Sequence, residues 1–178
     1  HSTPPPGAAL VFARHAAEWY AEEGGSAHIQ ATRPLTLGYG LADSPVGLAA
    51  WIVEKYRAWS DCGGDVESRF TKDELLTNIS LYWFTQTINS ANRLYYEHRR
   101  HGRHFRKGER ITVPCGICLT VEPVDRAPRE WAERVYNVQR YTALDRGGHF
   151  LALEEPELLA HDIREFFRPL RENSRQPA

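Results

Sequence analysis

Residues Val138 to Glu157 read Val-Gln-Arg-Tyr-Thr-Ala-Leu-Asp-Arg-Gly-Gly-His-Phe-Leu-Ala-Leu-Glu-Glu-Pro-Glu. Val138 to Leu144 has the content of a strand, and Asp145-Arg146-Gly147-Gly148 reads as a turn. Pro156 suits the first position of a helix, and Leu159, Ile163, Phe166 and Leu170 then share one of its faces. Negative charge in the run Glu154-Glu155-Pro156-Glu157 is favourable at that helix start. His149, on a loop straight after a buried strand, falls at the carboxyl edge of a sheet, where open α/β folds bind ligands. The two glycines before it permit unusual backbone angles and close approach of neighbours. Taken alone, Gly-Gly-His reads more readily as a turn histidine without a chemical role.

Upstream, Ile111, Val113, Cys115, Ile117 and Leu119 predict a second buried strand, with Pro114 awkward inside it. Pro128 to Arg134 reads as a short helix opened by proline. The order strand–helix–strand–helix fits parallel strands joined by a crossover helix, and so an α/β fold. Two parallel strands by themselves leave edges and faces uncovered, which points to a larger sheet.

The first part of the chain is helical by pattern. Residues 1–7 read as a linker, and Ala8 to Glu23 as an amphipathic helix stopped by Gly24-Gly25. Residues 26–43 are mixed and rich in turn formers. Ser44 can cap a helix that Pro45 opens and that runs to about Trp59. Thr71-Lys72-Asp73-Glu74 is a capping box, with Phe70 and Leu75 placed as a hydrophobic staple. It opens a helix carrying Leu75, Leu76, Ile79, Tyr82, Trp83, Ile88, Leu94 and Tyr95. Residues 97–110 form a polar, basic stretch.

Composition narrows the function classes. Of 178 residues, 42% are apolar and 25% charged, and the formal net charge is −1, which disfavours nucleic acid as a partner. No apolar run is long enough for a membrane span, and no export signal is recognisable. Three cysteines suit a reducing cytoplasm better than a disulfide framework. Cys115-Gly-Ile-Cys118 lacks the second ligand pair of a zinc site and reads as core or loop thiols. His98, His101 and His104, with the arginines around them, read as a solvated connector, so neither metal nor cofactor is expected. The chain opens on His1 and contains no methionine, which suggests a fragment.

Three longer stretches carry a resemblance. "RGGHFLALEEPELLAHDIREFF" is similar to the closing segment of epoxide hydrolases of the microsomal and juvenile-hormone type, in the α/β-hydrolase superfamily. "HIQATRPLTLGYGLADSPVGLAAWIVEKYRAW", His28 to Trp59, and "FTKDELLTNISLYWFTQTINSANRLYYE", Phe70 to Glu97, resemble that family's cap. The resemblance covers about Gly25 to Leu170. It implies a partial α/β-hydrolase fold, with a helical cap followed by the last strand–helix–strand–helix units. The implied layout is a linker and leading helix at 1–24, the cap or lid at 25–105, the C-terminal lobe of the core at 106–170 and a flexible tail at 171–178.

The resemblance also implies a chemistry. In the family an aspartate opens the epoxide to an alkyl-enzyme ester, a histidine paired with an acid activates the water that hydrolyses it, and cap tyrosines protonate the epoxide oxygen. His149 matches the histidine. Tyr95 matches a proton-donating tyrosine, with Tyr96 a one-residue alternative. Where the family often has a second cap tyrosine this chain has Ser26. Where the acid normally stands it has Pro123, leaving Glu122 or Asp125 for the role, with Glu122 the first choice. No aspartate precedes Asp43, so the nucleophile is expected to be missing and the isolated chain inactive. The substrate implied is a small hydrophobic epoxide, in a detoxification role. A different class of reading is a non-catalytic remnant or interaction module that needs a complementary N-terminal half or self-association.

Overall fold

The computed structural model describes residues 6–102 and 104–173. They divide into two units: residues 17–104, and residues 105–173 together with 6–16.

The first unit is helical. Helix α1 (Pro6–Thr32) contributes its residues from 17 onward, and α2 (Pro34–Asp43), α3 (Pro45–Trp59), α4 (Lys72–Thr85) and α5 (Ile88–His101) follow. Ser44 caps α3 as expected, accepting from the Gly47 N–H at 3.0 Å. Both halves of the Thr71–Glu74 capping box are formed on α4. Leu41, Leu48, Ile79 and Ile88 form the core, with Leu37, Ile52, Tyr82 and Trp83 packed around them. One buried group is poorly served: Asn92 on α5 is 1% exposed, and neither end of its amide has a hydrogen-bond partner among the described residues.

Four local expectations are corrected here. Of the stretch 1–7, residues 1–5 lie outside the described residues, while Pro6 and Gly7 already belong to α1. That helix continues through Gly24-Gly25, where a stop was expected, and the turn-rich stretch 26–43 is helical almost throughout. A helical glycine costs about 1 kcal/mol against alanine. Just before the pair, Glu23 accepts from Trp59 Nε1 at 2.9 Å and Lys55 Nζ at 3.3 Å, and Trp19 packs on Trp59. These tertiary contacts hold the backbone helical against local propensity. The long helix from Thr71 is two helices. At the break Gln86 is left-handed (φ 56°), and the Gln86 and Thr87 N–H groups return to the carbonyls of Trp83 and Tyr82. That is a Schellman closure, normally made with glycine, so nothing in the hydrophobic spacing announces it.

In the second unit, strand β1 (Ile111–Leu119) pairs in parallel with β2 (Tyr136–Ala143), and α6 (Arg129–Ala132) lies in the crossover. The register runs from Ile111 opposite Tyr136 to Leu119 opposite Ala143, with irregularities around Pro114 and between Cys115 and Gly116. Pro114 is tolerated where the ladder is already broken. Helix α7 (Leu151–Glu154) was not expected, and α8 (Pro156–Asn173) carries the helix beyond Leu170 into the stretch read as a tail; residues 174–178 lie outside the described residues.

Two contacts seat α8 on the sheet. A Cβ on Gly116 would lie 2.9 Å from the Phe166 ring, so glycine lets that ring sit flat on β1. Asp162, 5% exposed, accepts from Arg140 Nε at 2.7 Å and Thr142 Oγ1 at 2.7 Å. Burial pushes the Asp162 carboxyl up, but the bonds from Arg140 and Thr142 and the Arg140 charge outweigh it, and the group lies below its ordinary range. Asp162→Ala should cost about 3 kcal/mol, because it strands Arg140 at a partly buried position. A carboxyl lowered on folding stabilises fully above its unfolded value, about pH 4. That contribution disappears as pH falls through the lowered folded value. Urea unfolding at pH 7 and pH 3 checks both: the gap between parent and variant should be large at pH 7 and narrower at pH 3.

Candidate active site

Because β1 and β2 are parallel, both end at the same edge, and the loops 120–126 and 144–150 leave it together. They are joined by backbone bonds: the Leu144 N–H donates to the Leu119 carbonyl and the Val121 N–H to the Gly147 carbonyl, each at 3.0 Å. Arg126 adds a side-chain clamp, donating through Nε to the Thr120 carbonyl at 2.7 Å and through Nη2 to the Leu144 carbonyl. The histidine loop and the loop of the candidate acids are therefore one fastened structure.

His149 sits on this edge, its ring exposed and edge-on to Phe150, 5.2 Å between ring centres. Gly147 is required in the turn before it. Its φ is +90°, and a Cβ there would lie 2.7 Å from Leu151 Cδ1. The loop also depends on Glu154, a residue that sequence reasoning placed only in an acidic run. Glu154 is 9% exposed, and its two oxygens accept the N–H groups of Gly148 and Phe150, each at 2.9 Å. Its signal was present: a carboxylate five residues after a histidine at the last turn of a short helix.

Among the candidate acids, Pro123 opens a 3₁₀ turn, Pro123–Asp125. The Asp125 carboxylate closes its own loop: Thr120 Oγ1 donates to Oδ2 at 3.1 Å and itself accepts from the Glu122 N–H at 3.2 Å. Glu122 is half-buried one residue beyond Val121, the residue bonded to the histidine loop.

The remaining candidates belong to the helical unit. Tyr95 lies on α5 and is 42% exposed. The Tyr96 ring is covered by the Arg100 guanidinium, 3.5 Å from its centre. The Ser26 hydroxyl donates to the Glu23 carbonyl of its own helix. His98, His101 and His104 are exposed. Cys115 and Cys118 are half-buried on β1, and burial, with the Asp162 charge beside it, pushes the Cys118 thiol up. Among the described residues, no group of three or more His, Cys, Asp or Glu could hold a metal ion.

These features define a class: a piece of an α/β-hydrolase fold with a histidine at the carboxyl edge of its parallel sheet. Solved structures bear this out. Juvenile hormone epoxide hydrolase from the silkworm Bombyx mori aligns with a TM-score of 0.81 at 32% identity, covering 91% of this chain and 40% of that one. Aspergillus niger epoxide hydrolase aligns at 0.73 and 27% identity, covering 95% and 44%. In sequence, a provisionally named epoxide hydrolase from Stigmatella aurantiaca is 49% identical over 144 residues, 80% of this chain and 32% of that protein. Epoxide hydrolase 1 of Sus scrofa is 45% identical over 153 residues, 81% and 34%. No family model matches. The chain is thus a homologue of the epoxide hydrolases of the α/β-hydrolase type, and it spans about a third of the length of the curated relatives it matches.

The turn before His149 can be tested directly. Gly147→Ala should destabilise the second unit by about 1–3 kcal/mol, since φ stays positive and the new methyl meets Leu151. Thermal melting measures the loss, and Gly40→Ala, with nothing within 4 Å of the added methyl, serves as the control.

Proposed function

We propose that this chain carries the water-activating half of an epoxide hydrolase together with the lid that protonates the epoxide. His149 is the base, Glu122 the acid that orients it, and Tyr95 the proton donor. The observation that supports this best is the fastening of the 120–126 loop to the 144–150 loop through Val121 and Gly147. It keeps a carboxylate and an imidazole on neighbouring loops at a sheet edge, the arrangement a base and its orienting acid require. Asp125 is already spent on Thr120, which favours Glu122.

The steps follow from ordinary chemistry. An aspartate from outside these residues attacks an epoxide carbon, the carbon–oxygen bond breaks, and the Tyr95 phenol gives its proton to the leaving oxygen. His149 then takes a proton from water as that water attacks the ester carbonyl; the ester carbon–oxygen bond breaks, the imidazolium returns its proton to the leaving alkoxide to give the vicinal diol, and the proton left on the new carboxyl group returns to the Tyr95 phenolate, restoring carboxylate, imidazole and phenol. The substrate class is a small hydrophobic epoxide, cleared in the cytoplasm as a detoxification step. Among the described residues, no helix is long and apolar enough to cross a membrane.

Grafting these residues in place of the matching part of the silkworm enzyme tests the roles. The graft should convert styrene oxide to its diol. In the graft, His149→Gln should stall after ring opening and accumulate a protein one styrene oxide heavier by mass spectrometry. Glu122→Gln should slow ester hydrolysis by about 10²-fold or more, and Tyr95→Phe should slow ester formation. A His149→Gln graft that turns over at the parent rate defeats the reading.

The chain by itself should make no diol and should associate. Its sheet has two strands, and Val113, Ile163 and Phe167 of the same unit are 66%, 47% and 47% exposed. Each large apolar side chain left in water forfeits about 1.5–3 kcal/mol. We expect self-association, or stability only with a chain that completes the sheet. Analytical ultracentrifugation at micromolar concentration should show species above the monomer; a clean monomer with a sharp cooperative melt speaks against it.

A further inference from the structure

We propose that Glu154 is the positioning residue of His149, and that it governs ester hydrolysis without governing ester formation; this rests on the reading of His149 as the base. Gly148 and Phe150, the residues on either side of His149, donate their N–H groups to the two oxygens of one carboxylate, each at 2.9 Å. The backbone on both sides of the imidazole is thereby suspended from a single planar group. Glu154 is itself 9% exposed, so water competes little for those bonds.

An ordinary helix cap does not account for this. Phe150 is the cap residue of α7, and a carboxylate reaching back to the Phe150 N–H would complete a cap. The second bond, to Gly148, lies outside the helix start and serves only the loop. On its far side the loop is held by the Val121 N–H on the Gly147 carbonyl. The loop of His149 is thus set between the acid loop and the Glu154 carboxylate, both acting on main chain.

The chemistry of the carboxylate is specific. Glutamine has the same shape but a single acceptor oxygen, so its amide nitrogen would face one of the two N–H groups, donor against donor. Aspartate keeps both oxygens on a stem one methylene shorter. A base displaced by about 1 Å loses on the order of 10²-fold in rate. His149 acts on the water of the second step, so only that step should suffer.

The graft supplies both the kinetic and the structural test. In it, Glu154→Gln should leave ester formation from styrene oxide within twofold and slow ester hydrolysis more than tenfold, so that the adduct accumulates. Glu154→Asp should recover part of the hydrolysis rate. In the same graft, Glu154→Gln should speed amide exchange at least tenfold within 147–151 and leave β1 and β2 protected as before. An unchanged hydrolysis rate overturns the proposal, as does an equal loss of both steps or of protection across the sheet. If the parent graft folds but forms no ester, the epoxide reading has failed, and exchange in the graft still decides the clamp: acceleration confined to the loop upholds it, and unchanged exchange removes it.

Discussion

The parallel pairing of Ile111–Leu119 with Tyr136–Ala143 is the constraint from which the arrangement of the second unit follows. Parallel strands need a crossover, so both chains finish at the same edge. Had the pair been antiparallel, the loops 120–126 and 144–150 would leave opposite ends of the sheet, and no hydrogen bond could link Val121 to Gly147. The pairing is held from one face by α8, through the Phe166 ring on Gly116 and through Asp162 on Arg140 and Thr142. Asp162 is a buried carboxylate with hydrogen bonds from a guanidinium and a hydroxyl, the condition under which a charge can be kept out of water.

The helical unit solves a different problem. Its central cluster is small and aliphatic, a buried Tyr56–Phe70 pair adds to it, and polar ties cross between helices, such as Glu23 with Lys55 and Trp59. Asn92 is the cost within it: an amide sealed on α5, three residues before Tyr95, with no hydrogen-bond partner among the described residues. An unsatisfied buried amide typically costs about 1–3 kcal/mol.

Much of this was legible in the sequence, and the failures have definite causes. Strand β1 was found to the residue because its apolar alternation is strong, and α3 and α4 announced their starts through Ser44, Pro45 and the Thr71–Glu74 box. The continuation of α1 through Gly24-Gly25 was hidden because the forces that hold it come from Trp59 and Lys55, some thirty residues away. The break at Gln86 was hidden because glutamine carries no left-handed preference. The place of His149 on a turn after β2 was visible from the strand and the two glycines before it, whereas Glu154 passed as one member of an acidic run until its oxygens were seen on the N–H groups of Gly148 and Phe150.

The link between Val121 and Gly147 joins main chain to main chain. Such a bond uses no side chain, so whatever stands at 122 or 123 does not enter it. The other end is less tolerant, because Gly147 holds a positive φ and leaves no room for a Cβ beside Leu151. The link therefore couples a loop that is permissive at 122 and 123 to one that is strict at 147, and exchanges on the two sides of the same hydrogen bond carry very different costs.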